Sequence, residues 1–282
     1  MVEKKSKKNK GVEKTTMSDL GANLPLGVLD PTGALAKQFS VRPWRMKEEK
    51  ELGKLRNEIK GTVSVAQQTG LVVAHMLNSV GNHDFTKLQH PEKQLVVSQM
   101  FMGDVWYVYA YVRKQCIGEE VPMKLTCPRC GIEFDYQANL QTLQVNHASD
   151  LDASKWEYEL KDPFEIRSKE VKKFILGPQR WEIAEQSYAT KDDSVAKELA
   201  MIGSIKGIND DTNTLELISG ELDDMSKRDV ESLINKIDIH YMGPNMAIEM
   251  TKKDKCPKCG YSNDYVISLD WSYNNFFGIS SR

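Results

Sequence analysis

"KLTCPRCG" at residues 124–131 and "DKCPKCGY" at 254–261 share the pattern C-P-x-C-G, and the whole stretch from 131 to 255 separates their cysteines. If the pairs serve one site, the middle of the chain is tied to its far end, so this reading decides the fold. Two residues between thiolates let a single tight turn aim both sulfurs at one ion about 2.3 Å away, and two such turns complete a tetrahedral shell with no open position. Cys127, Cys130, Cys256 and Cys259 therefore read as ligands of one structural zinc ion per chain. Gly131 and Gly260 follow each pair, where the backbone must turn sharply while its amides face sulfur. The long gap is no obstacle, because closure entropy grows only logarithmically with loop length. Two other readings stand beside this one: each pair serving a site in a separate chain, or thiols without metal, including a redox pair. A thioredoxin-like dithiol is disfavoured, since no strand leads into CxxC at a helix start. Cys116, in an apolar helix, reads as a small core residue.

With 282 residues the chain can build a core without metal or disulfide, so a metal here has a local purpose. Net charge is −2, unevenly spread: the first seventeen residues hold six lysines against two glutamates, which leaves the rest near −6. A basic arm on an acidic body argues against a large nucleic-acid face, which needs Arg and Lys clustered on the folded part. No apolar run behind the amino-terminal lysines suggests a secretory signal, and 94–111, interrupted by Gln, Ser, Gly and Asp, reads as a buried helix rather than a membrane span. Four of five cysteines in CxxC pairs suit thiolate ligands in a reducing compartment.

Along the chain, 1–20 reads as a disordered basic arm. "NLPLGVLDPTG" (23–33) is extended and turning, and Phe39 and Val41 form a short strand ending near Pro43. Helical patterns cover 45–60, Thr62 to Val80 and 94–115. Strands enter and leave the first cysteine pair at 121–125 and 131–145. Alternation over 156–183 predicts two or three strands with turns at Pro163 and at Gly177–Pro178. Helix returns at 192–206, strand at 213–218, and helix at 225–237, where Ser226 is the N-cap and Asp229 stands three positions on. A strand and an aromatic-rich segment follow the second cysteine pair. The fold class is α+β: a mainly helical domain over 21–120, then a β-rich domain with added helices over 121–282, closed by the discontinuous zinc ribbon.

No other constellation carries chemistry. His83 beside Asp84 reads as a surface loop, and the sequence has no HExxH, phosphate loop, GxSxG or twelve-residue calcium loop. The reading is non-enzymatic, with no small-molecule substrate. The alternative to a scaffold is a zinc-ribbon nucleic-acid-binding protein, encouraged by the basic arm and weakened by the acidic body.

The order of "SVRPWRMKEEKELGKLR" (40–56), the first CPxCG, 148–185, 218–260 with the second CPxCG, and "WSYNNFF" (271–277) resembles the T4-type baseplate hub assembly proteins of contractile-tailed bacteriophages. Within that family the likeness is to the larger group, whose members carry two CxxC pairs. Val41, Arg42 and Pro43 with Glu48 and Glu49 match the segment leading into the family's first helix. The lysine-rich arm and the length of the first helical domain depart from the shorter members. The resemblance implies a virion-assembly protein without catalytic activity, a chaperone or minor structural component of the hub. Its partners would be other baseplate or tail hub proteins, met in the host cytoplasm during assembly or in the virion baseplate. For those contacts the candidate anchors are Trp44, Trp271, Tyr273, Phe276 and Phe277, with packing into the chain's own core as the competing expectation.

Overall fold

The helix Met102–Cys116 is buried on every side, from Gly103 through Ala110 and again at Val112 and Arg113, and the first half of the chain is assembled around it. The computed structural model describes residues 13–29, 33–59, 63–151, 155–211, 217–249, 255–262, 266–272 and 276–277. In chain order, strand β1 (Glu13–Thr16) and the short helix α1 (Met17–Leu20) precede strands β2 (Asn23–Leu29) and β3 (Leu35–Val41). Helices α2 (Met46–Glu58) and α3 (Val65–Met76) lead to β4 (Leu77–Val80) and β5 (His83–Asp84), then to α4 (His90–Gln99) and α5, the central helix. The hairpin β6 (Glu120–Thr126) and β7 (Glu133–Asn139) comes next, followed by β8 (Gln144–His147) and the hairpin β9 (Trp156–Ile166) and β10 (Lys169–Leu176). Helices α6 (Trp181–Ala189) and α7 (Asp193–Ser204), strand β11 (Ile205–Ile208) and helix α8 (Lys227–Ile239) complete the second half, with short strands β12 (Gly243–Pro244), β13 (Ala247–Glu249) and β14 (Val266–Ser268). The class is mixed α+β.

Two cores organise these elements. The first gathers Met17, Phe39, Leu52, Val73, Tyr107 and Trp181 around α5 and also takes in Leu269, Trp271, Phe276 and Phe277. The second lies under the sheet β11-β10-β9, where Tyr158, Phe164, Phe174 and Leu176 pack against Met201 of α7 and Leu233 of α8. A boundary at 120 therefore separates neither core, because Val121, Ala138, Leu140 and Val145 belong with α5. The region 21–120 is also less purely helical than its pattern predicts, since it contains the sheet β2-β3-β4-β5.

Several expectations are corrected for identifiable reasons. Residues 1–12 lie outside the described ones, but Glu13–Leu20 are a strand and a helix rather than an arm. β1 pairs with β8, Thr16 caps α1, and Met17 is wholly buried. The helix expected across 94–115 is two helices, because Met102 donates to Gln179 O at 2.9 Å and Trp181 donates to Met100 O at 2.8 Å, holding the backbone extended between them. The helix expected through Val80 stops at Met76, and Leu77–Val80 supply β3 with a second neighbour. Pro163 makes no turn: β9 runs through it opposite a register shift, and the chain reverses at Arg167 and Ser168, with φ of 50° and 60°. Trp181–Ala189 form a helix in place of the expected strand end. The strand expected at 213–218 falls almost wholly outside the described residues. The N-cap at Ser226 is as expected, accepting from Asp229 N at 3.2 Å.

Candidate metal centre

Each cysteine pair sits at the end of an antiparallel ribbon. β6 and β7 flank the first, in register from Glu120↔Asn139 to Thr126↔Glu133. β13 and β14 flank the second. The two turns are built alike, bond for bond. Cys127 N donates to Ile132 O and Gly131 N to Cys127 O, both at 2.9 Å; Cys256 N donates to Tyr261 O and Gly260 N to Cys256 O, again both at 2.9 Å. Gly131 and Gly260 have φ of 69° and 66°, the left-handed conformation that closes each turn and that side chains resist. The repeated C-P-x-C-G is thus a repeated local structure.

The four sulfurs lie within 4.8 Å of one another. Across the pairs, Cys127 Sγ is 3.7 Å from Cys259 Sγ, and Cys130 Sγ is 3.7 Å from Cys256 Sγ. A disulfide needs about 2.05 Å, so these are free thiols. Ligands about 2.3 Å from a tetrahedral zinc stand about 3.8 Å apart, so the two cross-pair separations match such an ion and the remaining sulfurs need only draw in slightly. Burial opposes ionisation of Cys256, but the amides of Cys259 and Lys258 outweigh it and hold the thiol down to about 6. At Cys259 the Tyr261 amide favours the thiolate, yet burial and the neighbouring sulfurs prevail and push it up to about 11. One negative charge is welcome among these sulfurs and further ones repel, a conflict that a bound cation would remove. Arg129 of the first turn stands 6.0 Å over the ring of Tyr261 in the second, a further link between the ribbons.

The ribbons are also secured to the α5 core, at a residue that pattern reading missed. Arg113 is 4 % exposed and donates through Nε to Phe276 O at 2.7 Å, through one terminal nitrogen to Gly118 O, and through the other to Glu120 O at 2.6 Å. It thereby ties the start of the first ribbon to the segment after the second. Trp271 Nε1 donates to Met246 O at 3.2 Å, just before β13. A buried arginine at the end of an apolar helix was the available signal, since such a cation must find acceptors.

The other predicted residues fall elsewhere. Trp271, Phe276 and Phe277 are 5 %, 0 % and 3 % exposed, so the expectation that they anchor a partner is corrected. Phe276 stacks on Tyr109 at 5.1 Å and on Trp271 at 4.8 Å, and half-buried Trp44 stacks on Phe277 at 4.9 Å. Tyr273 lies outside the described residues. Cys116 is half-buried beside Arg42 O, and burial pushes its thiol up. His83 meets Leu29 O at 3.2 Å, while Asp84 is held down to about 2 by the Thr86 hydroxyl first and then by Lys87. No helix among the described residues is long and apolar enough to cross a membrane.

The structure is thus an α+β fold with two cores, whose distant ribbons converge in a cluster of four cysteines that could hold a metal ion. Comparison with known families makes the assignment specific: residues 31–277 match the family described as T4 bacteriophage base plate protein, and the chain belongs to that family. No curated protein and no solved structure matches significantly.

Proposed function

We propose that the chain is a non-catalytic assembly factor or minor component of a phage tail baseplate hub, and that its four thiolates hold one structural zinc ion. The family match over most of the chain carries the baseplate reading. The convergence of Cys127, Cys130, Cys256 and Cys259 on one point carries the metal reading. Joining two ribbons remote in sequence lowers the ordering cost of any surface built across them. The partners are then other proteins of the tail assembly, and the chain works in the infected cell or in the finished baseplate. Deleting the gene should yield tails that lack a normal baseplate by electron microscopy, with rescue by the wild-type chain. Normal baseplates from the deletion would refute the role. Mass spectrometry of purified virions separates component from chaperone. Elemental analysis should find about one zinc per chain, lost in Cys256→Ser.

A further inference from the structure

On the face where β11 meets α6, a groove of about 500 Å³ is floored by Phe101, Pro178, Ile183, Ile202 and Ile205. Besides Lys155, two cations line it, Arg180 and Lys206. The stem of Lys206 crosses Gly177, where even a Cβ would stand 3.1 Å from its Cγ, and its ammonium donates to Gly203 O at 2.5 Å. Arg180 lies 5.7 Å over the ring of Phe101 and donates to Gln99 O at 2.6 Å. Both cations thus spend donors on neutral carbonyls, and neither forms an ion pair among the described residues. Glu182, the carboxylate lining the groove, is engaged by Gln99 Nε2 at 3.0 Å. An arginine carries five N–H donors and a lysine three, so most of this capacity is unspent. Burial and the neighbouring Arg180 push the Lys206 ammonium down to about 8 although Glu182 opposes the shift, and a further carboxylate would relieve it.

We infer that this groove receives an acidic, apolar segment of a partner protein, with a carboxylate between Arg180 and Lys206 and an aliphatic or aromatic side chain on the isoleucine floor. The argument is charge complementarity: the groove is cationic on a chain whose net charge is −2. The isoleucine floor favours a peptide over a phosphate backbone, and the arginine already covers the ring on which a base would stack. The partner's class rests on the baseplate reading above, but the groove's chemistry stands without it, so the test uses synthetic peptides and its failure leaves that reading intact.

The full chain, labelled at isoleucine methyls, is titrated with acetyl-Leu-Asp-Phe-Asp-Leu-amide and with its Asn and Lys counterparts. The acidic peptide should shift Ile183 and Ile202 saturably, the Asn peptide more weakly, and the Lys peptide not at all. Lys206→Met keeps the stem over Gly177 and should weaken acidic-peptide binding about tenfold, the worth of one charge-assisted hydrogen bond. Added salt should weaken binding to the wild type more than to the variant. No saturable shift up to about 5 mM acidic peptide, or equal binding of the Lys peptide, overturns the inference. So does occupation by a second copy of the chain, seen as concentration-dependent shifts at the same methyls that the acidic peptide fails to reverse.

Discussion

The guanidinium of Arg113 donates to the carbonyl oxygen of Phe276 at 2.7 Å across 163 positions of sequence. Gly118 O and Glu120 O complete its set of acceptors, so one buried side chain joins α5, the entry to the first ribbon and the segment after the second. Arg113→Ala would leave three carbonyls without their donor and should cost about 3 kcal/mol. Arg113→Lys keeps the charge but loses the fork, and should recover less than half of that. Denaturant unfolding measures both, and equal stability of the Lys variant and the wild type would show that charge alone matters.

Asp229, the third residue of α8, accepts from Lys161 N and Asp162 N at 3.0 Å each, from Tyr158 Oη at 2.8 Å and from Ser226 Oγ at 3.0 Å. Those amides lie where β9 loses register with β10 and cannot be paired across the sheet. Asp229→Asn turns one acceptor into a donor and should destabilise the second core by about 2 kcal/mol. Exchange of the amides in β9 should speed up while those of α5 keep their protection. Desolvation opposes the charge, but the four donors prevail and hold the carboxyl below its ordinary range. A depressed acid contributes stability above its unfolded pKa, so this contribution should fade as pH drops below about 4.

What the sequence reveals depends on where the determining contact lies. The Ser64 to Gln67 cap, the Ser226 to Asp229 cap and the two cysteine turns close within a few residues, and their spacing alone betrays them. The break at Met100–Phe101 is made by Gln179 and Trp181, which no local window contains. The same holds for Leu77–Val80, whose helical pattern yields to the open edge of β3. Trp271, Phe276 and Phe277 read equally well as an exposed anchor or a core, and only the position of Arg113 and Tyr109 decides between the two. The convergence of the cysteines is legible because the repeated C-P-x-C-G is the spacing that two halves of one ligand set need.

Gly103 sits where α5 meets β12. A Cβ there would stand 1.7 Å from Met242 O and 2.9 Å from the Cα of Gly243, both backbone. Gly103→Ala must therefore push β12 away, and by the usual cost of overpacking should lose about 3 kcal/mol despite the better helix propensity of alanine. A variant as stable as the wild type would mean that β12 is not held against the helix in solution.

His75 of α3 is buried, with Glu51 at 3.7 Å and no close hydrogen-bond partner for its Nε2. Burial, reinforced by Arg42, pushes its pKa down to about 4, while Glu51 opposes the shift. A histidine depressed in the folded state is fully favourable above its unfolded pKa of about 6.5 and loses that advantage as pH falls toward 4. Between pH 7 and pH 5 this should cost about 1–2 kcal/mol, and His75→Leu should remove that part of the slope. An unchanged slope in the variant would place the titration elsewhere.

Removing the metal should loosen the ribbons and leave both cores standing. The α5 core and the β9–β11 core each bury their own apolar side chains, and neither includes the four sulfurs. Between β6 and β7 the first ribbon has a small apolar cluster of its own, with Leu125 against Met123, Phe134 and Tyr136. Chelation at neutral pH should therefore leave far-UV circular dichroism nearly unchanged while opening the turns at 127–131 and 256–260 to protease. Cys256, no longer ligated and held toward its thiolate, should react with a thiol reagent much faster than half-buried Cys116, whose burial keeps it protonated. Global unfolding on chelation would instead make the ion a condition for the whole fold, as in small zinc domains. Wild-type behaviour in Cys127→Ser and Cys256→Ser alike would refute the shared site.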